Sequence, residues 1–448
     1  MSILHYTIGL PPERNGGSVQ YAYGLMTEQA KKEKVYALIC GDTLFRGSVC
    51  GIKRVGSRNG IETFKLTNPL TPTLIYGASD PQLQHRDIKI DFDNIRDFIR
   101  DHNIWIMHLH TLMGIHKDVV AYIKSLGVTI VYTSHDFHGI CTHYNLIDFN
   151  GKLCKDVSAE RCALCNLNEP SDRFLRIANS SLYHFVKKAG IFSVLKKSKP
   201  MADTGIDDGK NLTVAEDYKE EYRRLIEYYR DYFKLIDKFH FNSSQTRDIF
   251  RRFIPDIIGK VIPVITSGIR DQRKALQLEE NVRFGFIGSL NDYKGFPMLK
   301  KVALELYSQG YDKFRIYAYP GNLTGIDKEC PVIEYKPPYR YSEISDILYS
   351  LDCVIVPSKW YETFSLVALE TLAHGRPVIV SDHVGAKDMV ATYNKDMIFS
   401  SYDQLKDLIR KILDTPKLLE SENTKILSTQ WNFSIEKHAK EIMDFYNE

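Results

Sequence analysis

Residues 354–390, VIVPSKWYETFSLVALETLAHGRPVIVSDHVGAKDMV, decide the fold that this sequence predicts. Cys353 to Pro357 is a short apolar run rich in β-branched residues, and Leu366 to Ala373 has the apolar spacing of a helix. An Arg-Pro pair ends that helix before a second apolar run from Val378 to Val380. The stretch therefore predicts one strand-loop-helix-strand unit of an α/β protein, with its loop exposed at the carboxyl end of the first strand.

Two carboxylates, Glu362 and Glu370, lie eight positions apart in this stretch. A helix that begins near Ser365 would direct its unpaired N–H groups and positive dipole end at a phosphate. Carboxylates accept hydrogen bonds from the hydroxyls of a sugar or ribose. The residues alone also allow a plainer interpretation, in which Glu362 pairs with Lys359 and Glu370 lies on a solvated helix face.

The whole stretch closely resembles the E-x7-E signature of family 4 retaining glycosyltransferases. This resemblance implies the GT-B fold, in which two Rossmann-like domains face a central cleft and a C-terminal helix crosses back to the first domain. It also implies that Glu362 lies by the donor sugar and that Glu370 binds the ribose of a nucleotide-sugar donor. The donor-binding residues implied around them are Thr363, Phe364, Ser365 and Leu366. Ser365 departs from the family, which often has glycine there.

Length and composition predict a soluble protein of two domains. The chain has 448 residues, a length that exceeds a single ordinary core. Its composition, 44% hydrophobic and 26% charged residues, is typical of a soluble globular protein. A net charge of +3 does not indicate attraction to nucleic acid. There is no run of roughly 18 apolar residues, and the first residues lack the pattern of a signal peptide. We therefore expect a cytoplasmic protein.

The resemblance also implies where the domains lie. Residues 1–258 are expected to form an acceptor-side Rossmann-like domain, with an insertion at about 141–235. Residues 259–430 are expected to form the nucleotide-sugar donor domain, and residues 431–448 the helix that returns to the first domain.

The N-terminus has the order strand, glycine-bearing turn and helix that opens a Rossmann-like half. Ile3 to Ile8 predicts the strand, and Ser18 to Lys31 predicts the helix. Between them, Gly16 and Gly17 would let the backbone approach a phosphate or acceptor, and a flexible turn is the alternative. Gly17 is a donor-binding candidate because family 4 enzymes have a glycine-rich loop here. The G-x-G-x-x-G fingerprint is absent, which argues against a nicotinamide enzyme.

Polar residues follow two further predicted strands, at the sheet edge where α/β proteins bind ligands. Ile104 to Leu109 carries His108 and leads into His110, and a strand that ends at Thr133 leads into His135 and Asp136. The resemblance favours His110 as a residue near the reacting sugar. Asp136 would accept the proton of the acceptor hydroxyl or hold His135. A satisfied core histidine and a loop cap are the respective alternatives.

Four cysteines follow at once, Cys141, Cys154, Cys162 and Cys165. The terminal C-x-x-C brings two sulfurs to one centre, and four thiolates suit a closed tetrahedral zinc site. Such a structural zinc would staple a loop that lacks apolar residues for a core. Disulfides or free thiols are the alternatives, and the resemblance implies no metal for catalysis.

Residues 173–202 contain seven Lys or Arg and no Asp or Glu, on a roughly helical apolar pattern. A basic amphipathic stretch at 173–199 predicts peripheral contact with the inner face of the cell membrane, which would suit a polyprenyl-linked acceptor. A helix packed on its own domain with a solvated basic side is the alternative.

The sequence FIGSLNDYKG resembles the GR-x4-KG phosphate loop of the family, with Gly288 as its first glycine. Lys294 is a compact cation suited to the diphosphate of the donor. Ser289 replaces the arginine of the family, so Arg270 or Arg340 would have to supply that charge.

These patterns together predict a retaining glycosyltransferase that moves a sugar from a nucleotide-diphosphate sugar to a glycan or lipid-linked acceptor. The resemblance implies same-face attack assisted by the leaving phosphate, with Glu362 not acting as a nucleophile. A nucleotide-sugar epimerase, a glycosyl phosphorylase and a catalytically inactive GT-B binding partner are the alternatives.

Overall fold

The computed structural model describes residues 2–43, 49–74, 76–180, 183, 214–323 and 330–448. The chain forms two compact units. The first contains residues 1–241, 248–262 and 439–448, and the second contains residues 242–247 and 263–438.

The first unit is built on an eight-stranded sheet. Its strands are β1 (Ser2–Thr7), β2 (Lys34–Cys40), β3 (Ile52–Arg58), β4 (Ile61–Leu66), β5 (Ile104–Leu109), β6 (Thr129–Thr133), β7 (Lys238–Phe241) and β8 (Gly259–Val261). Their order is β3-β4-β2-β1-β5-β6-β7-β8, and only β3 pairs antiparallel. Every residue of β1 is buried, as expected of a central strand covered on both faces.

The second unit is built on a six-stranded parallel sheet. Its strands are β9 (Val282–Ile287), β10 (Phe314–Tyr319), β11 (Ile333–Tyr335), β12 (Cys353–Val356), β13 (Val378–Ser381) and β14 (Ile398–Phe399). Their order is β11-β10-β9-β12-β13-β14. The four residues of β12 and the four of β13 are all buried, so the apolar runs that opened the sequence analysis form the sheet centre.

Helices connect the parallel strands, as βαβ units require. In the first unit they are Gly17–Gln29, Phe92–Asp101, Lys117–Ser125, Ala159–Cys165, Asp172–Ala178 and Glu216–Phe233. In the second they are Phe296–Ser308, Ile344–Tyr349, Leu366–Ala373, Lys387–Tyr393, Tyr402–Asp414 and Leu418–Ser428. The helices Ser244–Phe253 and Ile435–Asn447 each contribute residues to both units.

The compact units and the predicted domains differ at their edges. The N-terminal part of the first unit extends to Ile262, beyond the predicted residue 258, because β8 pairs with β7 of its sheet. Residues 242–247 belong to the second unit because their side chains bond its loops, as described below. The last helix begins at Ile435, later than the predicted Trp431, since the Ser434 hydroxyl accepts from the Lys437 N–H at 3.2 Å and so caps it.

The predicted basic segment lies mostly outside the described residues. Within it, Asp172–Ala178 is a helix, whose Phe174 and Ile177 are exposed while Leu175 is buried. Residues 181–182 and 184–213 are not described, so the predicted membrane contact stays a prediction. Among the helices that are described, none has the length and apolar character needed to cross a bilayer.

Candidate functional site

The loop after β12 is held as a short extra strand. The N–H of Glu362 donates to the His383 carbonyl at 2.9 Å, and the N–H of Gly385 donates to the Glu362 carbonyl at 2.8 Å. A Cβ at Gly385 would collide with the carbonyl oxygen of Thr363 and meet Ser243 Oγ at 2.5 Å. Glycine at position 385 thus permits the close approach that fixes Glu362.

The start of the helix Ser244–Phe253 fixes the same loop from another side. The hydroxyls of Ser243 and Thr246 donate to the Thr363 carbonyl at 2.7 and 3.0 Å, and the amide of Gln245 donates to the His383 carbonyl at 2.6 Å. Three backbone groups of the loop after β12, the N–H and carbonyl of Glu362 and the carbonyl of Thr363, are therefore satisfied by protein partners before any ligand binds. These contacts could not be predicted, because residues 243–246 carry no recognisable motif.

The carboxylate of Glu362 has two charged or polar partners. Lys294 Nζ lies 3.1 Å from its Oε2, and the Ser358 hydroxyl donates to the same oxygen at 2.6 Å. The plainer interpretation, a pair with Lys359, is wrong because the Lys359 ammonium instead lies 2.6 Å from Asp292. The structure thus brings together the lysine and the carboxylate that were singled out from different motifs.

Glycines shape the loop that carries Lys294. Gly288, which follows β9, has φ 152°, and Gly295, which precedes the helix Phe296–Ser308, has φ 77°. Both values lie where glycine is favoured. A Cβ at Gly295 would collide with the carbonyl of Pro357, so the loop packs directly against the end of β12. Lys294 Nζ also lies 5.1 Å from the centre of the Trp360 ring.

Ser365 precedes the helix Leu366–Ala373 with a backbone φ of 108°. This is a conformation that residues with a Cβ rarely adopt, so the backbone here has the form for which the family's glycine is suited. Ser365 is 6% exposed, and its hydroxyl has no hydrogen-bond partner. The helix start therefore offers free N–H groups and one unpaired hydroxyl for an anion.

Glu370 lies one turn into that helix and is partly buried. Burial raises the pKa of its carboxyl to about 7, and a hydrogen bond with the Tyr341 hydroxyl opposes the rise. The charge of Glu370 also acts on Tyr339. The alternative of a solvated helix face is wrong for Glu370, since tyrosines surround it. Gly268 makes room for Tyr341, because a Cβ there would meet the Tyr341 hydroxyl at 2.6 Å.

In the first unit, histidines from neighbouring strands form a hydrogen-bonded chain. Gln29 Oε1 lies 2.8 Å from His5 Nε2, and His5 Nδ1 lies 3.0 Å from His110 Nε2. His110 Nδ1 then lies 3.3 Å from His135 Nε2. His110 is 3% exposed with both ring nitrogens held, whereas His135 is partly exposed.

A second chain runs beside the first one. Tyr446 Oη lies 2.6 Å from His108 Nδ1, and Thr133 Oγ1 lies 2.6 Å from His108 Nε2 and 2.9 Å from His240 Nδ1. Burial lowers the pKa of His5 and His135 to about 3 each. The rings of His5 and His135 are therefore neutral near pH 7.

Ligand atoms of His5, His108 and His110 lie within 4.8 Å of one another, which is close enough for one metal ion. The hydrogen bonds account for all six of their ring nitrogens. A divalent ion there would also be a buried charge without a carboxylate to offset it. We therefore assign this group to the hydrogen-bonded chains.

Asp136 lies at the end of β6 and is partly exposed. Its Oδ1 accepts from the His138 N–H at 2.9 Å, so the loop cap considered from the sequence exists. Partial burial raises the pKa of its carboxyl to about 6, and that hydrogen bond opposes the rise. The second oxygen leaves Asp136 able to accept a proton, so the cap does not exclude the role in acceptor activation.

Gly17 is the first residue of the helix Gly17–Gln29. The preceding Gly16 has an extended backbone and open space where a Cβ would lie. Local packing therefore does not require glycine at position 16. A role for Gly17 in donor binding stays a prediction.

The candidate residues thus form two groups, each within its own unit. The second unit holds Glu362 with Lys294, Gly288 with Gly295, and Glu370 with Tyr341. The first unit holds the histidine chain and Asp136. Within the hydrogen-bonded chain of His5, His110 and His135, the histidine with solvent access is His135. The sequence indicated His135 only as a neighbour of Asp136.

Comparison with known proteins relates the group in the second unit to a family. Residues 281–415 match the family model described as "Glycosyl transferases group 1". D-inositol 3-phosphate glycosyltransferase 1 of Catenulispora acidiphila is 25% identical over 36% of this chain and 43% of its own length. The lipopolysaccharide core biosynthesis mannosyltransferase LpsB of Rhizobium meliloti is 30% identical over 24% of this chain and 32% of its own. The matches therefore span less than half of these relatives.

A solved structure shows the fold over the whole chain. Anabaena Alr3699/HepE in complex with UDP and glucose superposes with a TM-score of 0.53, covering 100% of this chain and 99% of that one at 12% identity. The GT-B fold and the resemblance to glycosyltransferases that the sequence predicted are both confirmed.

Proposed function

We propose that this chain, whose residues 281–415 belong to the group 1 glycosyl transferases and whose fold is GT-B, is a retaining glycosyltransferase. It transfers a sugar from a nucleotide-diphosphate sugar to a hydroxyl of a glycan or lipid-linked acceptor. The observation that carries the proposal is the contact of Lys294 with Glu362 beside the free start of the helix Leu366–Ala373.

Stabilisation of the leaving diphosphate is the main demand of this reaction. Lys294 supplies a positive charge, and the helix start supplies N–H groups and the Ser365 hydroxyl. Groups already in position for charge that develops in the transition state are the most effective, because they need no reorganisation. The loop contacts to Thr363 and Glu362 provide that preorganisation.

Glu362 orients the donor sugar in this proposal. In the free chain its carboxylate accepts from Lys294 and Ser358, so a donor phosphate would compete with it for the lysine. Sugar hydroxyls would then replace the lysine as donors to the carboxylate. Glu362 is assigned no role as a nucleophile.

Glu370 and the nearby tyrosines bind the nucleoside. A ribose has two hydroxyls that a carboxylate accepts, and Tyr339 and Tyr341 offer ring faces beside it. The UDP bound by the Anabaena protein supports a nucleoside diphosphate as the leaving group.

Asp136 and His135 act on the acceptor. A carboxyl whose pKa is about 6 is well matched to accepting a proton near neutral pH. His110 and His5 position His135 through their ring-to-ring hydrogen bonds, which favour one tautomer. His110 is thus a positioning residue in this proposal, because it is buried.

Saccharide acceptors are favoured by the relatives, one of which is named for lipopolysaccharide core biosynthesis. A polyprenyl-linked acceptor and peripheral binding to a membrane through residues 173–199 remain parts of the proposal that rest on the sequence alone. Catalysis without a metal likewise rests on the family resemblance.

A panel of nucleotide sugars tests the proposal, with hydrolysis and thermal stabilisation as readouts. We expect one donor to stabilise the chain, and Lys294→Ala to lower turnover by about a hundredfold, typical of a lost transition-state contact. Lys359→Ala is the matched control, since that lysine pairs with Asp292 in the same unit.

Two outcomes would contradict the proposal. Equal turnover in the wild type and Lys294→Ala would remove the assigned role of the lysine. Conversion of a donor to its epimer without acceptor, or a requirement for free phosphate, would indicate an epimerase or a phosphorylase instead.

A further inference from the structure

The segment that follows Asp136 folds into a small hairpin and a helix that carry four cysteines. The N–H of Cys141 donates to the Phe137 carbonyl at 2.8 Å, which fixes the first cysteine in a turn that ends eight residues after β6. Ile147 and Leu153 then pair as an antiparallel bridge around a turn. The N–H of Cys154 donates to the Leu146 carbonyl at 2.8 Å, so the second cysteine closes the hairpin.

The helix Ala159–Cys165 supplies the other two cysteines. Ser158 caps it by accepting from the Arg161 N–H. Cys162 and Cys165 are three residues apart and therefore project from one face of the helix. The turn after Phe137 thus contributes one thiol, the hairpin contributes a second, and the helix contributes two more.

The four thiols are neighbours in space. Cys162 lies close enough to Cys141, Cys154 and Cys165 for their charges to interact. Cys165 interacts in the same way with Cys141 and Cys154. None of the eight cysteines, all of which lie in the described residues, forms a disulfide. The four thiols are therefore unpaired and near one another, although no three of their sulfurs lie within 4.8 Å of one another.

Backbone donors also surround the first sulfur. The N–H groups of His143, Asn145 and Leu146 lie near the Cys141 thiol, and the N–H of Tyr144 donates to the Cys141 carbonyl at 3.1 Å. Such donors stabilise a thiolate, because a negatively charged sulfur accepts hydrogen bonds more strongly than a neutral thiol does.

We propose that Cys141, Cys154, Cys162 and Cys165 bind one structural zinc ion. Binding replaces four thiol protons with the metal, so that four S–H bonds break, four Zn–S bonds form and four protons are released. Four thiolates are a preferred set for a closed, tetrahedral zinc site with Zn–S distances of about 2.3 Å. No redox step is involved.

Metal binding has to draw the hairpin and the helix together. Among the described residues, the group whose ligand atoms all lie within 4.8 Å of one another is His5, His108 and His110, and the four thiols are not such a group. The histidine nitrogens already have hydrogen-bond partners, whereas the thiols have no disulfide partner. Softness of the ligands also favours zinc at the thiols.

The proposed zinc anchors the loop that holds Asp136. The N–H of Phe137 donates to the Tyr144 carbonyl at 3.0 Å, and Tyr144 lies between the first two cysteines. Few apolar side chains of the segment are buried, among them Leu146 and Ala163. A metal would therefore supply stability that its small core does not.

Metal analysis of the whole purified chain is the first test. We expect about one zinc per chain in the wild type and in Cys330→Ala, a control in the second unit. The Cys162→Ser/Cys165→Ser double variant should contain none. Zinc retained in this double variant would place the metal elsewhere and overturn the proposal.

Chelation of the wild type keeps the test independent of whether the variant folds. Removal of zinc should lower Tm and expose four additional thiols to a thiol reagent, and zinc chloride should reverse both changes. A chain that binds no zinc even after this addition, or that titrates with fewer than eight thiols in denaturant without reductant, would also overturn the proposal. The second result would indicate a disulfide.

Discussion

Ser365 has the backbone conformation of a glycine, with φ 108°, at the start of the helix Leu366–Ala373. A non-glycine residue in such a region costs of order 1–3 kcal/mol. We expect Ser365→Gly to raise the free energy of unfolding by about 1 kcal/mol, after the extra entropy of glycine in the unfolded chain is subtracted. Urea denaturation measures this change. Ser350→Gly is the control, since Ser350 has φ −77° and should gain nothing.

Glu370 makes donor binding depend on pH. Burial raises the pKa of its carboxyl to about 7 in the free chain, so about half of the molecules carry it neutral at that pH. Ribose hydroxyls donate to the ionised form, and the affinity for the donor should therefore rise from pH 6 to pH 8. Calorimetry measures the dissociation constant at both values. A Glu370→Gln variant that keeps the same pH dependence would contradict this assignment.

Single residues also show where sequence reasoning reached its limit. Lys294 and Glu362 were both identified, because each belongs to a motif with fixed spacing. His110 was preferred to His135, and the structure buries His110 and leaves His135 partly exposed. Which histidine reaches solvent depends on the pairing of β1 with β5 and of β5 with β6, and neighbouring strands cannot be identified from spacing along the chain.

At the scale of elements, strands with continuous apolar runs were predicted well. β5 and the helix Leu366–Ala373 have the predicted bounds. The hairpin of β3 and β4 was not predicted from the sequence, because β3 is mostly exposed and contains Gly56 with φ 155°. The helix Leu418–Ser428 was missed. Weak amphipathic patterns give little signal, and tertiary contacts decide such elements.

The short extra strand formed by the loop after β12 depends on Gly385. We expect Gly385→Ala to lower the free energy of unfolding by about 1–3 kcal/mol, since overpacking forces the backbone to shift. The colliding atom is the Thr363 carbonyl oxygen, which cannot move without breaking its bonds to Ser243 and Thr246. Donor affinity should fall as well.

Gly321→Ala is the matched control for this element. A Cβ at Gly321 meets nothing within 4 Å, and its backbone is not in the left-handed region. Both stability and donor affinity should stay near the wild-type values. Equal losses in the two variants would show that a general effect of replacing glycine, and not the collision with Thr363, is responsible.

At the scale of the whole molecule, the two mainly parallel sheets were predictable and the edges of the compact units were not. Apolar runs that alternate with helical patterns indicate α/β units. The membership of residues 242–247 depends on hydrogen bonds to Thr363, His383 and Asp388, more than a hundred positions away. Cysteine spacing predicted a metal site. The positions of the four thiols relative to one another depend on the hairpin and the helix, which spacing alone does not predict.

Neutral buried histidines should make the whole protein sensitive to acid. The pKa of His5, His135 and His138 is lowered to about 3 and that of His240 to about 4, against about 6.5 in the unfolded chain. Below pH 6.5 the unfolded chain binds more protons than the folded one, so stability falls as pH falls.

Two carboxyls act in the opposite direction. The pKa of Asp136 is raised to about 6 and that of Glu370 to about 7. Near pH 5 the folded chain therefore holds protons on these two carboxyls, whereas the unfolded chain binds them only at lower pH. The four histidines outweigh the two carboxyls by about two protons near pH 5, and His110, whose pKa burial also lowers, adds to this excess in the unfolded chain. The free energy of unfolding should then fall by about 2–3 kcal/mol per pH unit.

Urea denaturation at pH 7.5, 5.5 and 4.5 measures this loss of stability. His135→Asn should make the dependence shallower by about one proton, or about 1.4 kcal/mol per pH unit, because one neutral histidine is removed. His102→Asn is the control, since that partly buried histidine lies outside the two hydrogen-bonded chains and bonds the carbonyl of its own helix. A wild-type stability that is constant from pH 7.5 to pH 4.5 would mean that these histidines are protonated in the folded chain, in which case the neutral hydrogen-bonded chain could not fix the tautomer of His135.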